Sequence, residues 1–250
     1  MTYTDFPIDA ALAWVEAEAP DLIPELKPAE FDQMEAFEEL FEDAPPDQVV
    51  DFLEAMGAGS TLPFTRKWHI DIEDILTAYT GRPWLGEEDV SMMLVQLGFK
   101  TDARQYDLFL QGPFHGGRAG SLVVMETLSK ELARDGIARP LWTVAGSLAE
   151  FICLPVFVER CVSAGPDAPT RWMARDGEYA LLDNARKALE ARGFVAEPFS
   201  SNKAAALRRG KDAVALMEQQ YPLEAIACGP DSTLNDVATA LAEAGAFDKV

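Results

Sequence analysis

Long hydrophobic runs are missing from this sequence. No stretch of the 250 residues approaches the roughly 18 uninterrupted apolar residues that a membrane-spanning helix requires. The first twenty residues, MTYTDFPIDAALAWVEAEAP, carry acids where a secretory signal would carry a basic lead. Both absences predict a cytoplasmic protein without a membrane partner.

Cysteine and histidine are scarce. Cys153, Cys161 and Cys228 match no C-x-x-C spacing and are too few for a disulfide framework or a structural zinc site, so we expect reduced core residues. If the run HIDIED is a strand, three of its side chains (His69, Asp71 and Glu73) share one side and could bind a divalent metal. A polar edge strand or a helix start is the alternative, and we predict no metal and no cofactor.

Catalytic motifs are also missing. The loop GPFHGGRAGS, residues 112–121, contains neither a phosphate-binding G-x-x-x-x-G-K-[ST] nor a G-x-G-x-x-G fingerprint, and no serine lies in a G-x-S-x-G elbow. The segment GPDSTLND is similar to a late acidic loop of haloacid-dehalogenase-type phosphatases, but the early D-x-D motif of that family is absent. A helix cap at Asp231, Ser232 or Thr233 is the simpler interpretation. The sequence therefore predicts a protein that is not an enzyme and has no catalytic residues.

Basic residues are almost absent from the leading fifth of the chain. Residues 1–54 hold 16 acids and one base, Lys27, for a net charge of −15, whereas residues 55–250 hold 26 acids and 20 bases, for a net charge of −6. A negative field of this kind repels nucleic acid and anionic membranes and attracts basic proteins. We therefore predict no nucleic-acid partner. The alternative is that the acids only keep the protein soluble.

Helical periodicity is strong in this acidic region. A helix is predicted from about residue 28, with an apolar stripe of Phe31, Met34, Phe37, Leu40 and Phe41 and acids on its other face. In APPDQVVDFLEAMGAGS, residues 44–60, apolar residues recur at i, i+3, i+4 and i+7 from Val49, and the prolines suit a helix start. Gly57 and Gly59 are expected to provide a left-handed exit.

The remaining pattern mixes helices and strands. We predict a short helix at 72–79, another over EEDVSMMLVQLGF that ends at Gly98, two strands around the glycine-rich loop, and a strand in RPLWTVAG. Ser147 and Glu150 have the spacing of a capping box before an apolar helix that Pro155 kinks or shortens.

The segment SAGPDAPT, residues 163–170, is predicted to be a domain boundary. After it come a helix that ends at Gly193, four strand-like runs and a final helix from about Ser232 to Ala244. The predicted fold class is α+β: amino-terminal helices packed on a mixed or antiparallel sheet over residues 1–165, and a small α+β domain over 166–250.

Two phrases of the sequence resemble the SUKH superfamily, the Smi/Knr-like proteins. The first family phrase, L-P-x-x-[YF]-x-x-F-L-x-x-x-G-G, is similar to the stretch that contains Pro46, Val50, Phe52, Leu53, Gly57 and Gly59, and the closing A-x-S-[FL]-x-E-F helix is similar to the one that contains Ala145, Ser147, Leu148, Glu150 and Phe151. The resemblance covers about residues 8–160. It departs from the family where Gly-Ala-Gly replaces Gly-Gly and where an extra helical segment, about 86–100, intervenes; the carboxy-terminal unit falls outside it.

The resemblance implies function by contact. Bacterial members are mostly immunity proteins that neutralise a cognate toxin, often a nuclease whose active site is basic, and an acidic surface can plug such a site as a phosphate mimic. The residues expected to bind the toxin are Glu35, Glu38, Glu39, Glu42, Asp43, Asp47, Asp51 and Glu54. A regulatory protein–protein adaptor and a metal-dependent hydrolase are the alternative functions.

Overall fold

The computed structural model describes residues 6–92, 94–112, 120–126, 141–164, 168–175, 180–218 and 223–250. Helices and antiparallel sheets alternate along the chain, so the predicted α+β class is confirmed. The chain divides into two compact units, one of residues Pro7–Phe151 and one that contains Ile152–Val250.

The amino-terminal unit begins with helices. They are α1 (Ile8–Glu18), α2 (Phe31–Glu38), α3 (Asp47–Met56), α4 (Ile72–Gly81) and the short α5 (Glu88–Ser91), with 3₁₀ turns at Pro20–Glu25, Pro63–Arg66 and Pro83–Gly86. α3 lies where the sequence predicts it, and Val49, Phe52, Leu53 and Met56 are buried as its periodicity requires. Gly57 does not provide the left-handed exit, because its φ is −65°; only Gly59, at φ +123°, has a left-handed backbone.

The sheet of this unit is antiparallel, in the order β1-β2-β3-β4-β5. Its strands are β1 (Trp68–His69), β2 (Leu94–Lys100), β3 (Ala103–Gln111), β4 (Leu122–Glu126) and β5 (Trp142–Ala145). The strands on either side of the glycine-rich loop and the one in RPLWTVAG are confirmed; residues 113–119 of the loop lie outside the described residues.

The helix predicted over residues 86–100 is wrong. Only Glu88–Ser91 is helical, and Leu94–Lys100 forms the strand β2. Residues 94–98 are buried without alternation, so both faces of this part of β2 are covered, although β1 pairs only with Phe99 and Lys100. A short, mostly apolar run without alternation does not distinguish a buried helix from a buried strand.

The helix α6 (Leu148–Phe157) begins as the capping pattern predicts. The Ser147 hydroxyl accepts a hydrogen bond from the Glu150 amide at 3.1 Å. The helix passes through Pro155 and continues into a π turn, Val158–Val162. The two units divide at residues 151 and 152, inside α6, because the π turn packs on strands of the carboxy-terminal sheet.

The carboxy-terminal unit is a six-stranded antiparallel sheet in the order β11-β6-β10-β9-β8-β7. The strands are β6 (Thr170–Ala174), β7 (Val195–Ala196), β8 (Ala204–Arg209), β9 (Asp212–Met217), β10 (Glu224–Cys228) and β11 (Phe247–Lys249), with the helices α7 (Leu181–Glu190) and α8 (Asp231–Ala244). Small and branched residues of β8, β9 and β10 form a core with the inner faces of both helices. The four predicted strands and both helices are present; β6 and β11 were not predicted.

The predicted side-chain cap of α8 is wrong. Its N-cap is Pro230, and no side chain caps the helix. Thr233 is buried and its hydroxyl instead donates to Asp212 and accepts from Arg209. These bonds join the start of α8 to the β8–β9 hairpin.

Candidate functional site

All eight acids predicted to bind a partner are exposed at the surface of the amino-terminal unit. Glu35 and Glu38 belong to α2, Glu39, Glu42 and Asp43 follow it, and Asp47, Asp51 and Glu54 belong to α3. Within the described part of the chain, none of the eight forms an ion pair with a lysine, arginine or histidine. Among the described residues, no basic side chain compensates their negative charge.

Five of the eight acids line one groove between the end of α2 and the beginning of α3. The groove has a volume of about 490 Å³. Glu38 and Glu42 come from the α2 side, Asp47 and Asp51 from the α3 side, and Asp43 from the connection between them. The structure thus brings these five together and leaves Glu35, Glu39 and Glu54 outside the groove.

The remaining lining of the groove is apolar. Phe41 and Pro45 are buried, Val50 is partly buried, and Ala44 completes the set. No basic side chain is among the described residues that line the groove. A surface with an apolar floor and carboxylates on both sides can bind a side chain that is apolar along its length and positive at its end.

Aromatic packing fixes the floor. The Phe41 ring lies 5.0 Å from Phe37 and 5.3 Å from Tyr79 of α4, between ring centroids. The Tyr79 hydroxyl accepts a hydrogen bond from the Gln96 amide of β2 at 3.1 Å. Complete burial raises the pKa of Tyr79 far above its usual range, so the hydroxyl stays neutral. The groove is therefore attached to the sheet through α4.

A partly buried ion pair lies beside this contact. Arg82 donates to Asp107 at 2.7 Å and to the side chain of Gln96 at 2.8 Å. Burial raises the pKa of Asp107, and the Arg82 guanidinium opposes that rise. Because each of these groups has a hydrogen-bond partner within the core, the set acts as a link between α4 and two strands.

Gly86 holds the outer wall of the groove. The Glu42 amide donates to the Gly86 carbonyl at 3.0 Å, and a Glu42 carboxylate oxygen accepts from the Glu88 amide at 2.9 Å. A Cβ atom on Gly86 would lie 1.7 Å from the Leu40 carbonyl oxygen. Only glycine permits this approach, which sets the path of the chain immediately after α2.

Phe31 does not belong to the buried stripe of α2. Its side chain is 80% exposed, whereas Met34, Phe37 and Phe41 are buried. The prediction is wrong for Phe31 because this residue is the first of α2, and the side chain at that end of the helix is not covered by other elements. No periodicity argument distinguishes such a terminal residue from the rest of the stripe.

The HIDIED segment is a helix start rather than a strand. His69 ends the two-residue strand β1, and Asp71 is the N-cap of α4, where its carboxylate accepts from the Glu73 amide at 2.9 Å. His69 Nε2 lies 2.7 Å from the Asp74 carboxylate. Among the described residues, no group of three His, Cys, Asp or Glu side chains is placed to hold a metal ion; His115 lies outside these residues.

Within the described ranges, no helix combines the length and the apolar composition needed to cross a lipid bilayer. No protein-family model matches the chain, and no curated protein or solved structure is significantly similar to it. The resemblance to the SUKH superfamily stays a prediction from the sequence.

Proposed function

We propose that this protein is an immunity protein of the SUKH type, which binds a basic toxin, of the nuclease class, through the acidic groove and neutralises it by contact. The observation that supports this proposal is the convergence of five carboxylates, none paired with a basic side chain of the described residues, on one groove with an apolar floor. The three cysteines form no disulfide, which suits a partner met in the reducing cytoplasm.

The clustered carboxylates destabilise the free protein and stabilise its complex with a basic partner. Carboxylates one helical turn apart, such as Asp47 and Asp51, repel each other by about 0.2–0.5 kcal/mol per pair in the free protein. Cations of a partner remove this repulsion. The same charges accelerate the encounter with a basic protein, because the attraction extends about 10 Å at 0.1 M ionic strength.

A nuclease provides the complementary surface. It must hold phosphates with lysine and arginine side chains, and carboxylates can occupy the same positions as the phosphates. Inhibition by occupation requires no bond to be made or broken by the immunity protein. The proposed role is therefore a stoichiometric inhibitor.

Co-expression tests the proposal. The protein encoded next to this one is produced from an inducible promoter in a bacterial host, with and without this chain. We expect the neighbour to stop growth and this chain to restore it. A variant with all eight acids changed to their amides should fail to restore growth at the same expression level.

Two outcomes would contradict the proposal. One is restored growth with the eight-amide variant, which would place the contact elsewhere. The other is failure of the wild-type chain to restore growth together with metal-dependent hydrolysis by the purified protein, which would make it an enzyme.

A further inference from the structure

We infer that the groove receives an arginine-bearing segment of the partner, with the aliphatic stem of the arginine on the apolar floor and its guanidinium between the carboxylates of the two walls. This inference rests on the proposed function and adds the chemistry of the occupant. It also divides the eight acids into a contact set and a steering set.

The lining of the groove matches the two parts of an arginine side chain. Three methylene groups of arginine are apolar and pack on surfaces such as those of Phe41, Pro45 and Val50. The guanidinium then lies at the level of the carboxylates. A small metal ion would use the acids but leave the apolar floor uncovered, and a purely apolar segment would bury five charges without partners.

Arginine fits better than lysine for two reasons. Its planar guanidinium has five N–H donors and can bond a carboxylate on each side at once, whereas the ammonium of lysine is a compact and strongly hydrated charge. Acids line the groove from both of its sides, with Glu38 and Glu42 on the α2 side and Asp47 and Asp51 on the α3 side. The guanidinium is also more weakly hydrated than an ammonium, so it loses less hydration when it enters the groove.

The acids outside the groove act differently. Glu35, Glu39 and Glu54 are exposed, form no ion pair within the part of the chain that the structure describes, and do not line the groove. They contribute to the long-range field that steers a basic partner, which affects the association rate and is weakened by salt. The acids in the groove also contact the partner and therefore govern dissociation.

The experiment compares two triple variants with the same change of charge. The contact variant is Glu38→Gln, Asp43→Asn and Asp51→Asn; the steering variant is Glu35→Gln, Glu39→Gln and Glu54→Gln. Glu42 and Asp47 are kept because the first accepts from the Glu88 amide and the second lies in the first turn of α3. Circular dichroism confirms that both variants fold.

The probe is a fluorescein-labelled twelve-residue peptide of alternating arginine and leucine, with otherwise identical lysine and citrulline peptides as controls. Fluorescence anisotropy at 150 mM NaCl measures its affinity for the full chain. We expect the contact variant to weaken binding of the arginine peptide at least tenfold and the steering variant less than threefold. The lysine peptide should bind the wild type several-fold more weakly, and the citrulline peptide should not bind.

A second variant tests the floor. Val50→Thr keeps the shape of the side chain and adds a hydroxyl, so it should weaken the arginine peptide by a few fold without any change of charge. Equal losses of peptide affinity in the two triple variants would show that the groove is not the contact. In that case, restored bacterial growth with the wild-type chain would still support the proposed function. No binding of the arginine peptide by the wild type would also overturn the inference, and the growth assay would then decide the proposed function separately.

Discussion

At the scale of single residues, Gly86 fixes the path of the chain at Glu42, one of the residues that line the groove. Its close approach to the Leu40 carbonyl allows the Glu42 amide to bond the Gly86 carbonyl, which orders the wall that follows α2. The sequence shows a glycine here but no reason for it. The reason is tertiary, because the crowding atom comes from a segment more than forty residues earlier in the chain.

Replacing Gly86 by alanine should lower the free energy of unfolding by about 1–3 kcal/mol, since the Leu40 backbone must move. Urea denaturation followed by circular dichroism measures this loss. The control is Gly81→Ala at the end of α4, where an added Cβ meets nothing within 4 Å and no loss is expected. Equal stability of the two variants would show that Gly86 does not lie close to the Leu40 carbonyl oxygen.

The ion pair between Asp248 and Arg175 should make the stability of the fold depend on pH. The Arg175 guanidinium donates to both of its carboxylate oxygens and holds its pKa below the ordinary value of 3.8. Because the folded pKa is the lower one, the pair stabilises the fold above pH 3.8, and this contribution is lost as the pH falls below that value.

An NMR titration of the Asp248 side chain checks this sign. We expect a midpoint below 3.8 in the wild type and a return to the ordinary value in Arg175→Gln. A wild-type midpoint at or above 3.8 would mean that the ion pair is not formed in solution.

At the scale of elements, local chemistry predicts some structures well. α3 follows from its apolar spacing, and the start of α6 follows from Ser147 and Glu150. Both depend on residues within one or two turns of the helix. The wrong predictions at β2 and at the α8 cap depend instead on contacts distant in the sequence. Because β2 is buried on both faces, it lacks the alternation that identifies a strand. The Thr233 hydroxyl bonds Asp212 and Arg209 of the β8–β9 hairpin and therefore does not cap the helix.

The two serines at helix starts test this distinction. Ser147→Ala removes a hydrogen bond to the Glu150 amide and should lower the free energy of unfolding by about 1 kcal/mol. Ser232→Ala at the start of α8 removes no cap bond and should change it by less than about 0.5 kcal/mol. A larger loss at Ser232 than at Ser147 in thermal or urea unfolding would contradict the assignment of the caps.

The candidate site also has a part that the sequence predicts and a part that it does not. The exposure of the acids on α2 and α3 could be predicted, because Glu35, Glu38, Asp47, Asp51 and Glu54 lie opposite an apolar stripe. Their convergence could not be, because it depends on how α2 and α3 meet through Phe41, Pro45 and Val50. The apolar stripe of α2 assigns Phe41 to the core only, and one sequence contains no information on the angle between the two helices.

Repulsion between the carboxylates of the groove should lower the free energy of unfolding of the free protein. In the triple variant Glu38→Gln, Asp43→Asn and Asp51→Asn, mutual repulsion is reduced, so the free protein should be more stable by about 0.5–1 kcal/mol at low salt. The gain should shrink in 0.5 M NaCl, where repulsion is already screened. A loss of stability in the variant at low salt would mean that these carboxylates serve the fold and not a partner.

At the scale of the whole molecule, the asymmetry of charge separates the two units. In the carboxy-terminal unit arginines pair with acids, as in Arg171–Glu224, Arg192–Glu243 and Arg209–Asp236. The acids around the groove have no such partners among the described residues. A protein that needed negative charge only for solubility would not require five carboxylates on one apolar-floored groove.

Carboxylate labelling of the complex tests this account most directly. The protein, alone and bound to the toxin whose action it relieves, is treated with a carbodiimide and glycine ethyl ester, and mass spectrometry measures the modification of each acid. We predict that Glu38, Asp43, Asp47 and Asp51 are labelled in the free protein and strongly protected in the complex, while exposed acids of the carboxy-terminal unit such as Asp183 remain labelled. Full labelling of the groove acids in a stable complex would contradict the account.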